Sequence, residues 1–263
     1  MKKAILVVSF GTSYEDTRKK TIEAIEQRIA GAYEDYQVFR AFTSKVIIKK
    51  LREQENLYVP TIKEAIEQLL DEEYTDVIIQ PTHVINGIEN ESMLEDLSDY
   101  VKQFNSVRIG KPLLSDTGDY KQLVNCIIEE NHVGDDKAIL LMGHGTSHHA
   151  NAVYPAIDYT FRAEGYSRIF MATVEGYPTL EDAMGLMKMS GCKSVLLLPF
   201  MIVAGEHAKN DMAGEEEDSW KSILEEAGYE VECKLQGLGE LEVVQDMFVR
   251  HVEEAIVFEA KLI

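Results

Sequence analysis

Three residues in the second half of this chain have the types and the placement to hold a transition-metal ion: His144, Glu175 and His207. Each comes after the end of a short apolar run, in Met142-Gly143-His144-Gly145-Thr146, Thr173-Val174-Glu175-Gly176-Tyr177 and Ala204-Gly205-Glu206-His207. Two imidazoles and one carboxylate suit Co2+, Ni2+, Fe2+ or Zn2+, and a three-ligand set leaves coordination positions open for a substrate. Glycines on both sides of His144 let backbone and ligand approach closely. Taken singly, each of the three reads as an ordinary strand-end or loop residue. Their joint placement after three successive strands is what points to a metal.

The elements that must position them are legible as an alternation. Short β-rich runs at 4–9, 37–41, 76–80, 107–110, 138–142, 168–173, 194–198 and 230–235 are separated by segments with helical periodicity. Ile22, Ile25 and Ile29 form one apolar stripe, and Ile62, Ala65, Ile66 and Leu69 form another behind Pro60. Leu123, Val124 and Ile127 make a third, and Val244, Met247, Phe248 and Val252 a fourth. Continuously apolar strands alternating with helices predict an α/β fold with parallel sheet covered on both faces. Ligands of such sheets bind outside the carboxyl ends of the strands, which is where the three candidate ligands fall.

An internal repeat organises the chain further. Residues 3–13 lie over 137–147, sharing Lys-Ala-Ile-Leu before the strand end and Gly-Thr-Ser after it. Residues 77–89 lie over 195–207, each an apolar strand, a proline and then a glycine followed by an acidic residue or histidine. The expectation is two similar lobes, each a four-stranded parallel sheet flanked by helices, occupying 1–131 and 132–263 with the join near 131–136. Phe10 then stands where the second lobe has His144, and Glu89 stands where it has His207. A looser match sets Phe42 opposite Glu175. One lobe therefore offers metal donors, and the other a wall for something flat and apolar. His83 and Glu89 lie in the first-lobe mate of the His207 loop and are candidates to face the same ligand. His148 and His149 follow the His144 loop directly; at most one faces inward, and His148 is the candidate. His132 and His251 read as surface residues.

Composition excludes several classes of partner. The 263 residues carry 26 Lys and Arg against 46 Asp and Glu, a formal net charge of −20. So acidic a surface repels nucleic acid and anionic lipid. Cys126, Cys192 and Cys233 are widely spaced and form no Cys-x-x-Cys pair, as in a reducing compartment. The apolar run after Lys2-Lys3 is too short for a signal peptide, and no run approaches the roughly 20 residues that span a bilayer. The expectation is a soluble cytoplasmic protein. Gly-Thr-Ser after a strand is not a Walker sequence, so no nucleotide is expected.

The motifs Val7-Val8-Ser9-Phe10-Gly11-Thr12-Ser13, Phe39-Arg40-Ala41-Phe42-Thr43-Ser44, Gly143-His144-Gly145-Thr146-Ser147-His148-His149 and Pro199 to Met212 together resemble the sirohydrochlorin cobaltochelatase family. That family belongs to anaerobic cobalamin biosynthesis and is related to ferrochelatase among the ATP-independent class II chelatases. The resemblance runs over essentially the whole chain, including Asp218-Ser219-Trp220-Lys221 and the Gly237-Leu238-Gly239-Glu240 turn. It implies a two-lobed chelatase fold, a tetrapyrrole bound in the cleft between the lobes, and cobalt-ligand roles for His144, Glu175 and His207. It also implies that His144 accepts a pyrrole proton. On this reading Co2+ is the substrate metal, with Fe2+ or Ni2+ the alternatives that the donor set does not exclude. A tetrapyrrole or metal carrier without turnover is the alternative from another class. Phe10 and Phe42 would press on the macrocycle face, and His83, Glu89 and His148 would contact it. Sirohydrochlorin is a polycarboxylate, so local basic groups must offset the acidic chain: Lys45, Lys49, Lys50 and Arg52 form the densest basic stretch, and Lys209 lies near the metal residues. The oligomeric state, including a homo-oligomer, is left open.

Overall fold

Among the described residues, eight of nine strands fall where the apolar runs predict them. The structure, a computed structural model, describes residues 1–131 and 137–259. The chain divides into two compact units, one of residues 1–115 together with the chain from Gly239 onward, the other Asp116–Leu238.

In the first unit the strands are β1 (Lys2–Ser9), β2 (Gln37–Phe42), β3 (Tyr74–Pro81), β4 (Ser106–Ile109) and β9 (Ile256–Val257), in the order β2-β1-β3-β4-β9. The first four are parallel, and β9 adds antiparallel to the edge of β4. The helices are α1 (Glu15–Lys20), α2 (Ile22–Ala32), α3 (Lys45–Glu55), α4 (Ile62–Asp71), α5 (Ile88–Ser98) and, from the end of the chain, α10 (Glu242–Glu253). Strand β1 is buried from Ala4 through Val8 because helices cover both of its faces.

In the second unit β5 (Lys137–Gly143), β6 (Ile169–Thr173), β7 (Ser194–Pro199) and β8 (Glu230–Cys233) form a wholly parallel sheet, ordered β6-β5-β7-β8. Around it lie α6 (Thr117–Glu130), α7 (Val153–Ala163), α8 (Leu180–Ser190) and α9 (Trp220–Glu226). Ala138, Leu140, Met142, Val195 and Leu197 pack with Met187, Trp220 and Leu224 in its core. Helices α4, α6 and α8 each open on a reciprocal capping box, Thr61 with Glu64, Asp116 with Asp119, and Thr179 with Asp182.

Three expectations change. The first sheet has a fifth, antiparallel strand, too short at two residues to leave a pattern. The expected join at 131/132 differs from the observed partition at both ends. Helix α6 belongs with the second unit, where its Lys121 pairs with Glu164, the residue just past α7, at 3.4 Å. Helix α10 returns to the first unit, where Arg28 forks onto Asp246 at 2.7 and 3.1 Å and Tyr33 donates to the Val249 carbonyl. Periodicity identifies α10 as a helix but cannot say which sheet its apolar stripe covers. His251, read as a surface residue, is fully buried, with Nδ1 against the Lys111 carbonyl at 3.1 Å. His132 lies outside the described residues.

Among the described residues no helix is long and apolar enough to cross a membrane, and the three cysteines are unpaired.

Candidate metal centre

The internal repeat reappears in the sheets as a shared hydrogen-bond pattern. Thr82 donates its N–H to Val8 in the first unit, and Phe200 donates to Met142 in the second. Thr43 donates to Ser9 as Val174 does to Gly143, and Ser44 donates to Phe10 as Glu175 does to His144. These bonds confirm the pairings of Phe10 with His144 and of Pro81 with Pro199. They correct the third. Ser9 pairs with Phe42, and its repeat mate Gly143 pairs with Thr173. The counterpart of Phe42 is therefore Thr173, and the counterpart of Glu175 is Ser44, whose side chain caps α3.

His144 is the first residue beyond β5 and is half-buried. Its Nδ1 lies 2.9 Å from the Gly145 carbonyl. A carbonyl only accepts, so Nδ1 donates to it and Nε2 is the ring nitrogen left for a ligand. Tyr154 supports this turn from below: a Cβ on Gly143 would stand 2.5 Å from Tyr154 Cε1, so only glycine fits there. Burial pushes the Tyr154 phenol above its ordinary pKa, which keeps it protonated.

His207 ends the loop after β7 and begins a single turn of π-helix, Ala208–Met212. Such turns recur at functional sites. The start of the loop is held twice: Phe200 donates to the Met142 carbonyl at 2.7 Å, and Leu238 to the Met201 carbonyl at 2.8 Å. His207 Nδ1 meets Asp211 Oδ2 at 2.5 Å, one turn on, and this leaves Nε2 as the ring nitrogen that can meet a ligand. The rings of His144 and His207 meet edge to face, with centroids 4.9 Å apart and planes at 86°. Two imidazoles with their Nδ1 atoms engaged leave two Nε2 atoms, which in the neutral rings are the donors that a borderline metal ion prefers.

Glu175 is exposed, and its N–H donates to the His144 carbonyl at 2.9 Å. Its carboxylate does not close with the two imidazoles: ligand atoms of the three do not all lie within 4.8 Å of one another. The structure thus brings His144 and His207 together and leaves Glu175 beside them, tied by its backbone.

The other expected contacts divide by exposure. Phe10 is 47% exposed and presents its ring outward, whereas Phe42 is fully buried. A Cβ on Gly11 would stand 2.6 Å from Phe42 Cδ2, so that ring fills the space beneath Gly11. His83 is buried as well, and burial pulls its pKa down to about 4, only partly opposed by the Asn90 side chain. It is a neutral interior residue. Glu89 is exposed in the first turn of α5. His148 accepts the Ala150 N–H on Nδ1 at 3.2 Å, capping a 3₁₀ turn at His149–Ala152 and stacking on His149. On α3, Lys45, Lys49 and Arg52 are exposed; Lys49 lies 3.8 Å from Glu53, and Arg52 lies over the Tyr58 ring.

Sequence reasoning missed three supports. Asp211 stands four residues beyond His207, an i,i+4 spacing that could have flagged it. Asn151 and Tyr154 left no signal of their own.

A sequence profile of the cobalt chelatase (CbiK) family matches residues 3–257. The chain belongs to that family. It is 40% identical to the sirohydrochlorin cobaltochelatase of Salmonella typhimurium over 97% of each chain. It is 30% identical to sirohydrochlorin cobaltochelatase CbiKC of Nitratidesulfovibrio vulgaris, over 97% of this chain and 91% of that one. Among solved structures, SirB from Bacillus subtilis with Fe3+ superposes with a TM-score of 0.65 at 17% identity, covering 97% of this chain and 95% of that one. At that identity the likeness speaks for the fold alone. As a member of this family the chain is a metal chelatase, as its motifs led one to expect.

Proposed function

We propose that the protein inserts Co2+ into sirohydrochlorin without ATP, as the names of the two relatives above suggest, and that His144, His207 and Glu175 handle the ion. The observation that carries this reading is the edge-to-face pair of His144 and His207, each with Nδ1 engaged and Nε2 left as a donor.

Metallation exchanges two pyrrole N–H protons for one divalent ion. A base must therefore stand where the metal enters, and imidazole is matched to that task near neutral pH. As the ion passes to the macrocycle it frees Nε2 of His144, which takes one pyrrole proton while Nδ1–H stays on the Gly145 carbonyl, and the second proton leaves to solvent water. His207 holds the ion beside it, with Asp211 fixing its ring. Glu175, exposed and outside the closed pair, is an exchangeable third ligand. A loose set of this kind releases the ion to a tetrapyrrole, which a closed four-ligand site would resist. Phe10, Glu89 and His148 are the side chains proposed to contact the macrocycle. Phe42 and His83 support the first-unit loops from within. Lys45, exposed at the start of α3, is the side chain proposed to meet a substrate carboxylate.

The test is metallation of sirohydrochlorin by purified protein, free of nucleotide, with Co2+, Fe2+ and Ni2+ in parallel. Fastest insertion of Co2+ supports the assignment. Fastest insertion of Fe2+ reassigns the protein to a sirohaem-forming reaction, and tight tetrapyrrole binding without insertion makes it a carrier.

A further inference from the structure

Asn151 joins the two loops that carry His144 and Glu175. It lies in the 3₁₀ turn His149–Ala152, ahead of α7. Its Oδ1 accepts the Thr146 N–H at 3.1 Å, and its Nδ2 donates to the Tyr177 carbonyl at 2.7 Å. One amide thus grips the loop after β5 with its oxygen and the loop after β6 with its nitrogen. Few side chains can do both: aspartate only accepts, and alanine does neither.

The glycines around it show how closely the loops are drawn together. Gly145 has φ +80°, and a Cβ there would stand 2.7 Å from the Gly176 nitrogen and 3.0 Å from the Glu175 carbonyl carbon. A Cβ on Gly176 would stand 2.3 Å from Asn151 Oδ1. The Glu175 N–H bond to His144 runs through the same contact. Backbone packs on backbone here, and the Asn151 amide closes the join from the side.

We propose that Asn151 is a positioning residue that sets where Glu175 stands relative to His144, and thereby how firmly the protein grips Co2+. The inference rests on reading His144 and Glu175 as metal ligands. A side chain that orients a ligand without touching the metal commonly changes affinity by about 10- to 100-fold when removed.

The experiment is Co2+ titration of the full-length protein, followed by the visible d–d absorption of the bound ion, with circular dichroism as the check on folding. The proteins are wild type, Asn151→Ala, Asn151→Asp, Glu175→Ala and the double variant Asn151→Ala with Glu175→Ala. Asn151→Ala is expected to bind Co2+ about 10-fold more weakly or worse. Asn151→Asp keeps the acceptor for Thr146 but sets a carboxylate against the Tyr177 carbonyl, so it weakens binding too. In the Glu175→Ala background the alanine at 151 is expected to change affinity less than about twofold, because its effect passes through Glu175. A folded Asn151→Ala that binds as wild type does overturns the inference. So does an undiminished loss in the Glu175→Ala background. Absence of Co2+ binding by the wild type, or unaltered binding by Glu175→Ala, overturns the ligand reading itself, and this inference with it.

Discussion

His144 and His207 face each other edge to face, 4.9 Å between ring centroids, although 62 residues of chain, from 145 to 206, separate them. Parallel neighbours β5 and β7 make that meeting possible, because both strands end at the same edge of the sheet. The orientation of each ring then depends on what its Nδ1 touches.

For His207 that partner is Asp211. Removing the carboxylate in Asp211→Ala leaves the ring free to turn and makes Nε2 a weaker donor. Co2+ affinity is expected to fall by about 10- to 100-fold. Asp211→Asn keeps an acceptor oxygen and should lose less. Equal affinity in all three proteins, measured by Co2+ titration, would remove Asp211 from the account.

Gly145 should tolerate no side chain. Alanine there would have to hold φ +80° and push against the Gly176 nitrogen at 2.7 Å. A residue strained in this way costs about 1–3 kcal/mol, and the shift would part the Glu175 loop from His144. Gly145→Ala is expected to lower the urea midpoint of unfolding and to slow metallation together. Gly165, also at positive φ but with nothing within 4 Å of its Cβ, is the control and should lose only stability.

Phe10 and Phe42 should part company on mutation. Phe42 is fully buried, and truncating it to alanine costs about 3–5 kcal/mol of stability. Phe10, 47% exposed, should leave stability nearly unchanged and instead raise KM for the tetrapyrrole. Thermal unfolding and steady-state kinetics on both variants separate the two effects.

His83 makes acid the weak side of the first unit. Its pKa is pulled from 6.5 to about 4 by burial, so below 6.5 the unfolded chain binds a proton that the folded one refuses. Stability from this residue is whole above pH 6.5 and is lost as pH falls from there toward 4. The loss amounts to about 3 kcal/mol. His83→Gln should flatten the dependence of the urea midpoint on pH between 6.5 and 4. An unchanged slope would mean that His83 is solvated.

Much of this fold can be read from the sequence because its strands are buried on both faces and separated by helices, so each apolar run stands out. The repeat could be read for the same reason, and it placed Phe10 over His144 correctly. It failed for Phe42 because β2 and β6 differ too much to align by residue type. Only the ladder shows that Phe42 answers to Thr173. The burial of His251 and the return of α10 are tertiary facts that periodicity does not encode. His144 and His207 were legible as chemistry on a strand end. Asn151 was not, since its role depends on a loop 26 residues away.

The most direct test of the central claim is the initial rate of Co2+ insertion into sirohydrochlorin by His144→Ala against wild type, at saturating tetrapyrrole and without nucleotide. The account predicts that the variant still binds the tetrapyrrole but inserts cobalt no faster than the uncatalysed reaction. Insertion by His144→Ala at the wild-type rate would contradict it.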